Sequence, residues 1–97
     1  MIIRHGDLLI KSIDKLLENA IRQEGNILVY GEVTNHSHRI MGGEVFKVGE
    51  AIYFTVANKG KLSHEEHKSI DLDKGTYAVL RTREYDYTAK KAREVRD

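Results

Sequence analysis

The sequence predicts a mainly β protein of the α+β class: a small β-barrel or β-roll of five to six short antiparallel strands, with one α-helix near the N-terminus. Three observations lead there. Glycines at 6, 25, 31, 42, 43, 49, 60 and 75 cut the chain into pieces of strand length. The pieces after Gly25 are rich in β-branched and aromatic residues. Only the window 13–25 changes to a helical period. An α+β sandwich, with the helix on one face of an antiparallel sheet, is the alternative assembly of the same elements.

The elements follow in chain order. "DLLIKSI" (7–13) starts just after Gly6 and reads as a strand. Ile13, Leu16, Leu17, Ala20 and Ile21 then recur at i, i+3, i+4, i+7 and i+8, one apolar stripe of an amphipathic helix. Asp14 would cap it and Gly25 would end it. "NILVYGEVTN" (26–35) is a strand, and "HSHRI" (36–40) would continue it beyond a bulge at Gly31. Gly42-Gly43 reads as a hairpin turn. "EVFKVG" (44–49) and "AIYFTVAN" (51–58) are strands joined tightly at Gly49-Glu50. "NKGKLSHEEH" (58–67) reads as a loop with room for one helical turn. "KSIDL", "DKG" and "TYAVLRTREY" (68–85) read as strand, turn and strand. In the last of these Tyr77, Val79, Arg81 and Arg83 would share one face and Ala78, Leu80, Thr82 and Glu84 the other, with Tyr77 in the core or at its rim. The charged tail 88–97 would form a short helix from Thr88 or fray.

Ninety-seven residues make one domain, 1–97, with a modest core. A formal net charge of +1 argues against binding nucleic acid by bulk electrostatics, although a local basic patch is compatible with it. The chain has no cysteine, so it has no disulfide framework, thiolate metal site or thiol nucleophile, which fits a cytoplasmic protein. "MIIRHGDLL" interrupts any apolar run with Arg4, His5 and Asp7 and is not a secretory signal. No stretch approaches the roughly 18 apolar residues of a membrane span, so no membrane partner is expected. Exposed strand edges in so small a domain fit a homodimer.

Chemistry concentrates in "HSHR" (36–39) and "HEEH" (64–67), which hold four of the five histidines. On an extended segment His36 and His38 point to one side, about 7 Å apart at the backbone. His64 and His67, at i and i+3, are neighbours on a helical turn. Brought together, His36, His38, His64 and His67 would offer up to four nitrogen ligands to a divalent metal, zinc first. Glu65 and Glu66 would add a carboxylate ligand or a general base. Without a metal, the same histidines with Arg39 would serve as acid, base and charge clamp on a phosphodiester. Arg81, Arg83 and Tyr85 would add cations and a stacking ring for RNA. The plainer alternative is solvated or backbone-capping histidines. "HEEH" is not the zincin HExxH, and no phosphate-binding glycine motif surrounds Gly42-Gly43. His5 stands by itself and is expected to do nothing special.

The order G-x4-H-x-H-x5-E-x4-G over 31–49 resembles a cupin metal motif, although the spacings differ by a residue or two and no histidine follows "DKG" as a last ligand. The resemblance implies Glu44 as a further metal ligand. Across nearly the whole chain, "GDLLI", "GEVTNHSHRI", "LSHEEHKSI", "GTYAVLRTREY" and "REVRD" resemble a group of small uncharacterised microbial and phage proteins. That resemblance implies that His36, His38, Arg39, His64, Glu65, Glu66, His67, Arg83, Glu84 and Tyr85 are the group's pattern residues.

Two functions follow as expectations. One is a metal-dependent or histidine-based hydrolase acting on a phosphoester or nucleic acid, with His36, His38, His64 and His67 at its centre, Arg39 and Arg83 as anion clamps, Glu65 as base or ligand, and Tyr85 as a stacking ring. The other is a non-catalytic metal- or RNA-binding regulatory module whose histidines are structural.

Overall fold

The computed structural model describes residues 2–30 and 36–81, with Arg81 placed by its backbone alone. Seven strands form one antiparallel sheet: β1 (Ile2–His5), β2 (Leu8–Ile13), β3 (Ile21–Gln23), β4 (Ile27–Tyr30), β5 (Ser37–Val48), β6 (Ala51–Ser63) and β7 (Ile70–Arg81). The order is β1-β2-β7-β6-β5-β3, and β4 also pairs with β5. The ladder ends at β1 on one side and at β3 and β4 on the other, so the sheet is open and the expected barrel does not close.

The three long strands carry the core. Ile10, Val79 and Ile52 lie in one cross-strand row, and Ser12, Tyr77, Phe54 and Val45 in the next. Phe54 and Tyr77 stack with their ring centroids 5.0 Å apart. Beyond them Ile40, Leu62 and Leu72 are fully or almost fully buried. β5 buries both Ile40 and Val45, positions that strict alternation would send to opposite faces. A bulge reconciles them: Met41 pairs with Lys61 but Gly43 with Val56, so residues 57–60 of β6 stand opposite Gly42 alone. Gly42 takes φ +84°, and a Cβ there would lie 2.6 Å from the Lys59 carbonyl oxygen. The glycine pair therefore bends one strand instead of joining two.

This bend corrects several expectations. Gly42-Gly43 is not a hairpin turn. Residues 58–63 are strand, and the loop begins at His64. "DKG" is no turn either: β7 runs through it, with Asp73 opposite Lys59 and Gly75 opposite Val56 across a second register shift. In each case a phase change in the alternation, placed beside glycine, imitates a strand end. β4 and "HSHRI" are also separate strands that pair antiparallel, with Tyr30 opposite Ser37. The Gly49-Glu50 connection is as expected, and Tyr77, read as core or rim, lies in the core.

The helix over 13–25 is absent, and no helix occurs among the described residues. Ile13 is taken by the β2–β7 ladder opposite Thr76, and Ile21–Gln23 by β5. What remains between is one turn, with the Ala20 amide bonded to the Leu17 carbonyl at 3.2 Å. A segment so short does not sustain a helix without a packed face, and Leu17 and Ile21 are exposed. No described helix is long and apolar enough to cross a membrane.

Candidate histidine site

All five histidines gather at one end of the sheet. Three segments bring them: the end of β1 (His5), the entry to β5 (His36, His38), and the loop after β6 (His64, His67), with the β1–β2 turn Gly6-Asp7 closing over them. His38 lies centrally, its ring centroid 4.4 Å from that of His64, 5.1 Å from His5 and 6.1 Å from His67. His64 and His67 are 4.6 Å apart, and His36 joins through His64 at 5.5 Å. "HxH" and "HEEH" thus meet as the spacing argument requires. His5, which sequence reasoning set aside, proves to be a buried member.

Two layers are distinguishable. The inner layer is His5 and His38, only 3% and 2% exposed. His5 Nε2 lies 2.8 Å from the Lys68 carbonyl oxygen. A carbonyl only accepts, so this nitrogen carries the hydrogen and donates it. His38 Nε2 lies 3.2 Å from Asp7 Oδ1 and donates to the carboxylate in the same way. The two Nδ1 atoms then face each other at 3.1 Å. Burial, followed by the charges of His64 and His5, pushes His38 down to about 4, against the opposing pull of Asp7. Burial lowers His5 as well, partly offset by its bond to the Lys68 carbonyl.

The outer layer is His36, His64, His67, Glu65, Glu66 and Arg39. The Glu66 amide donates to His64 Nδ1 at 3.0 Å, and Glu66 Oε2 lies 3.7 Å from His36 Nε2. Glu65 accepts from the Ser37 amide at 2.8 Å and pairs with Arg39 Nη1 at 3.3 Å. These donors, the Ser37 amide foremost, hold its carboxyl below the usual range. Glu65 thus ties the loop to β5, and Arg39 is already paired.

Gly6 makes the close approach of the layers feasible. It has φ +63° in the two-residue turn between His5 and Leu8, where tight hairpins use glycine. A Cβ on it would lie 2.6 Å from His67 Nε2 and 3.1 Å from His38 Cε1.

The other predicted site residues divide. Glu44 is not brought to the cluster: it lies past the Gly42–Gly43 bend, where it pairs with Arg22 at 3.5 Å. Arg81 holds the ladder position opposite Leu8. Arg83, Glu84 and Tyr85, the tail 88–97 and the proposed bulge at Gly31 lie outside the described residues. Sequence reasoning missed His5, Asp7 and the Lys68 carbonyl. The available signal was "RHGD": a histidine and an aspartate flanking the glycine of a predicted strand start.

Fold and site together define a class: an open, sharply bent antiparallel sheet that collects histidines at one end. The chain belongs to the family described as Domain of unknown function (DUF8820), which it matches over residues 4–82. Comparison with the curated proteins and with the solved structures found no match.

Proposed function

We propose that this protein is a small hydrolase of phosphoesters, RNA among them, with the histidine cluster as its reactive centre. The observation that carries the reading is the convergence of five imidazoles from three chain segments beside an arginine–glutamate pair. Phosphoester hydrolysis needs a group to take a proton from water, a group to protonate the leaving oxygen, and positive charge for the developing phosphorane. His36 and His64 are half-buried neighbours and suit the two proton transfers. Water oxygen attacks phosphorus while one imidazole takes its proton. The ester P–O bond breaks as the other imidazole protonates the departing oxygen. Arg39 supplies charge on leaving Glu65, and a divalent metal at the cluster would supply more.

One observation favours the second reading, a non-catalytic metal- or RNA-binding module: His5 and His38 are too buried to meet a substrate. The test is turnover of bis(4-nitrophenyl) phosphate and of a labelled RNA oligonucleotide, with zinc, manganese or magnesium added in turn. Hydrolysis that falls at least about 100-fold in the folded His64→Ala variant supports the hydrolase. Absence of turnover under every condition, or full turnover in a His36→Ala, His64→Ala double variant, overturns it.

A further inference from the structure

We infer that His5 Nδ1 and His38 Nδ1 are the inner ligands of a divalent transition-metal ion of the zinc class, with His67 as the third protein ligand. The inference stands whether or not the site hydrolyses anything.

The neutral imidazole ring has one N–H. His5 commits its hydrogen, through Nε2, to the Lys68 carbonyl, and His38 commits its own, through Nε2, to Asp7. Both Nδ1 atoms are then lone pairs, held face to face at 3.1 Å among buried groups. Two buried lone pairs in opposition repel, so the arrangement calls for a cation between them. The geometry suits a metal. Two nitrogens bound to tetrahedral zinc at about 2.05 Å stand about 3.3 Å from each other. The outward bonds suit it too: metal-ligating imidazoles characteristically donate their other N–H to a carboxylate or a backbone carbonyl, which sets the tautomer and the ring plane. Here one ring has each kind of partner.

A shared proton would satisfy the same two nitrogens but would leave His67 with no part in the cluster. His67 is exposed, its ring lies parallel to that of His38 and 5.7 Å from that of His5, and only the glycine at position 6 lets it come so close. His64 is the weaker candidate because its Nδ1 lone pair already accepts from the Glu66 amide. As the side chains stand, no three His, Asp or Glu groups among the described residues surround one point. Two donors converge, and His67 completes the set by turning inward. Three histidines leave the fourth position of a tetrahedral ion to a water molecule.

The experiment uses the full chain, purified without affinity tag or chelator. Zinc and cobalt(II) are titrated calorimetrically into the chelator-stripped protein, and imidazole ¹⁵N shifts are recorded before and after. One metal per chain is expected, with a tetrahedral cobalt spectrum. His5 and His38 are expected to show Nδ1 coordination while keeping Nε2–H. Asp7→Asn should weaken zinc binding 10–100-fold, His5→Gln at least as much, and Glu44→Gln not at all. The ¹⁵N pattern of the unmutated protein decides the matter should a histidine variant fail to fold. Absence of metal binding, a hydrogen found on either Nδ1 in the zinc-saturated protein, or unchanged affinity in folded His5→Gln overturns the inference. Metal bound in this way without phosphoester turnover fails the hydrolase alone. Turnover in excess chelator by a chain that binds no metal overturns the metal site alone.

Discussion

The apolar half of the sheet and its histidine end are built on opposite principles. Around Phe54 and Tyr77 the contacts join neighbouring strands, and each row reads off the ladder: Ser12, Tyr77, Phe54, Val45. Such a region is non-directional; it needs apolar surface on the correct face and tolerates many sequences that supply it. At the histidine end the buried pair is not made of ladder neighbours. His5 and His38 lie on β1 and β5, with β2, β7 and β6 between them in the sheet, yet their nitrogens are 3.1 Å apart. That contact exists only because the bulged strands curl. It is directional, since each Nε2 has a named acceptor and the two Nδ1 atoms face each other, and it buries polar groups that are costly when unpaired. The apolar half supplies stability, and the histidine end depends on it for its geometry.

The largest effect should come from striking the apolar half. Phe54 is fully buried, and Phe54→Ala should destabilise the fold by about 3–5 kcal/mol, read from chemical denaturation. If that variant kept zinc affinity while losing that much stability, the dependence of one region on the other would be broken.

Next is pH in the chelator-stripped protein. The folded His38 pKa of about 4 lies below its ordinary 6.5, so between those values the unfolded chain binds more protons than the native one. Stability should therefore be full above about pH 6.5 and fall as pH drops toward 4, by roughly 2–3 kcal/mol for a shift of this size. His5 shifts in the same direction and adds to the loss. A denaturation series across that window checks it. A flat profile, or one that rises on acidification, would mean that the inner pair keeps a proton in the native state.

Gly6→Ala comes third. It forces a Cβ into a φ of +63° and toward the His67 ring, costing about 1–2 kcal/mol in stability. Because His67 is exposed and can swing away, the greater loss should appear in zinc affinity. Equal loss in the two would make Gly6 a turn residue and nothing more.

The smallest effect sharpens the boundary between the regions. Arg22 and Glu44 are paired on the surface, so Glu44→Gln should change stability by less than about 1 kcal/mol. It should leave metal binding unaltered. A loss of affinity would restore Glu44 to the ligand set that the cupin-like spacing suggested.

By itself the sequence determined the β character of the chain, because β-branched runs between glycines leave few other ways to bury apolar surface. It also marked "HxH" and "HEEH" as motifs that would meet, and the structure brings His36, His38, His64 and His67 together at one end of the sheet. It could not determine where strands continue through glycine. At Gly42-Gly43 and at Asp73–Gly75 the apolar phase shifts as it would at a turn, and only pairing with β6 shows that the strand is bent instead. The amphipathic stripe from Ile13 to Ile21 misled for a related reason: ladder partners on β7 and β5 claimed its two ends, and backbone pairing across a sheet outweighs a local period. His5 was legible only as one more histidine. Its partners His38 and Lys68 come from distant parts of the chain, and a contact made by sheet curvature leaves no spacing in the sequence to read.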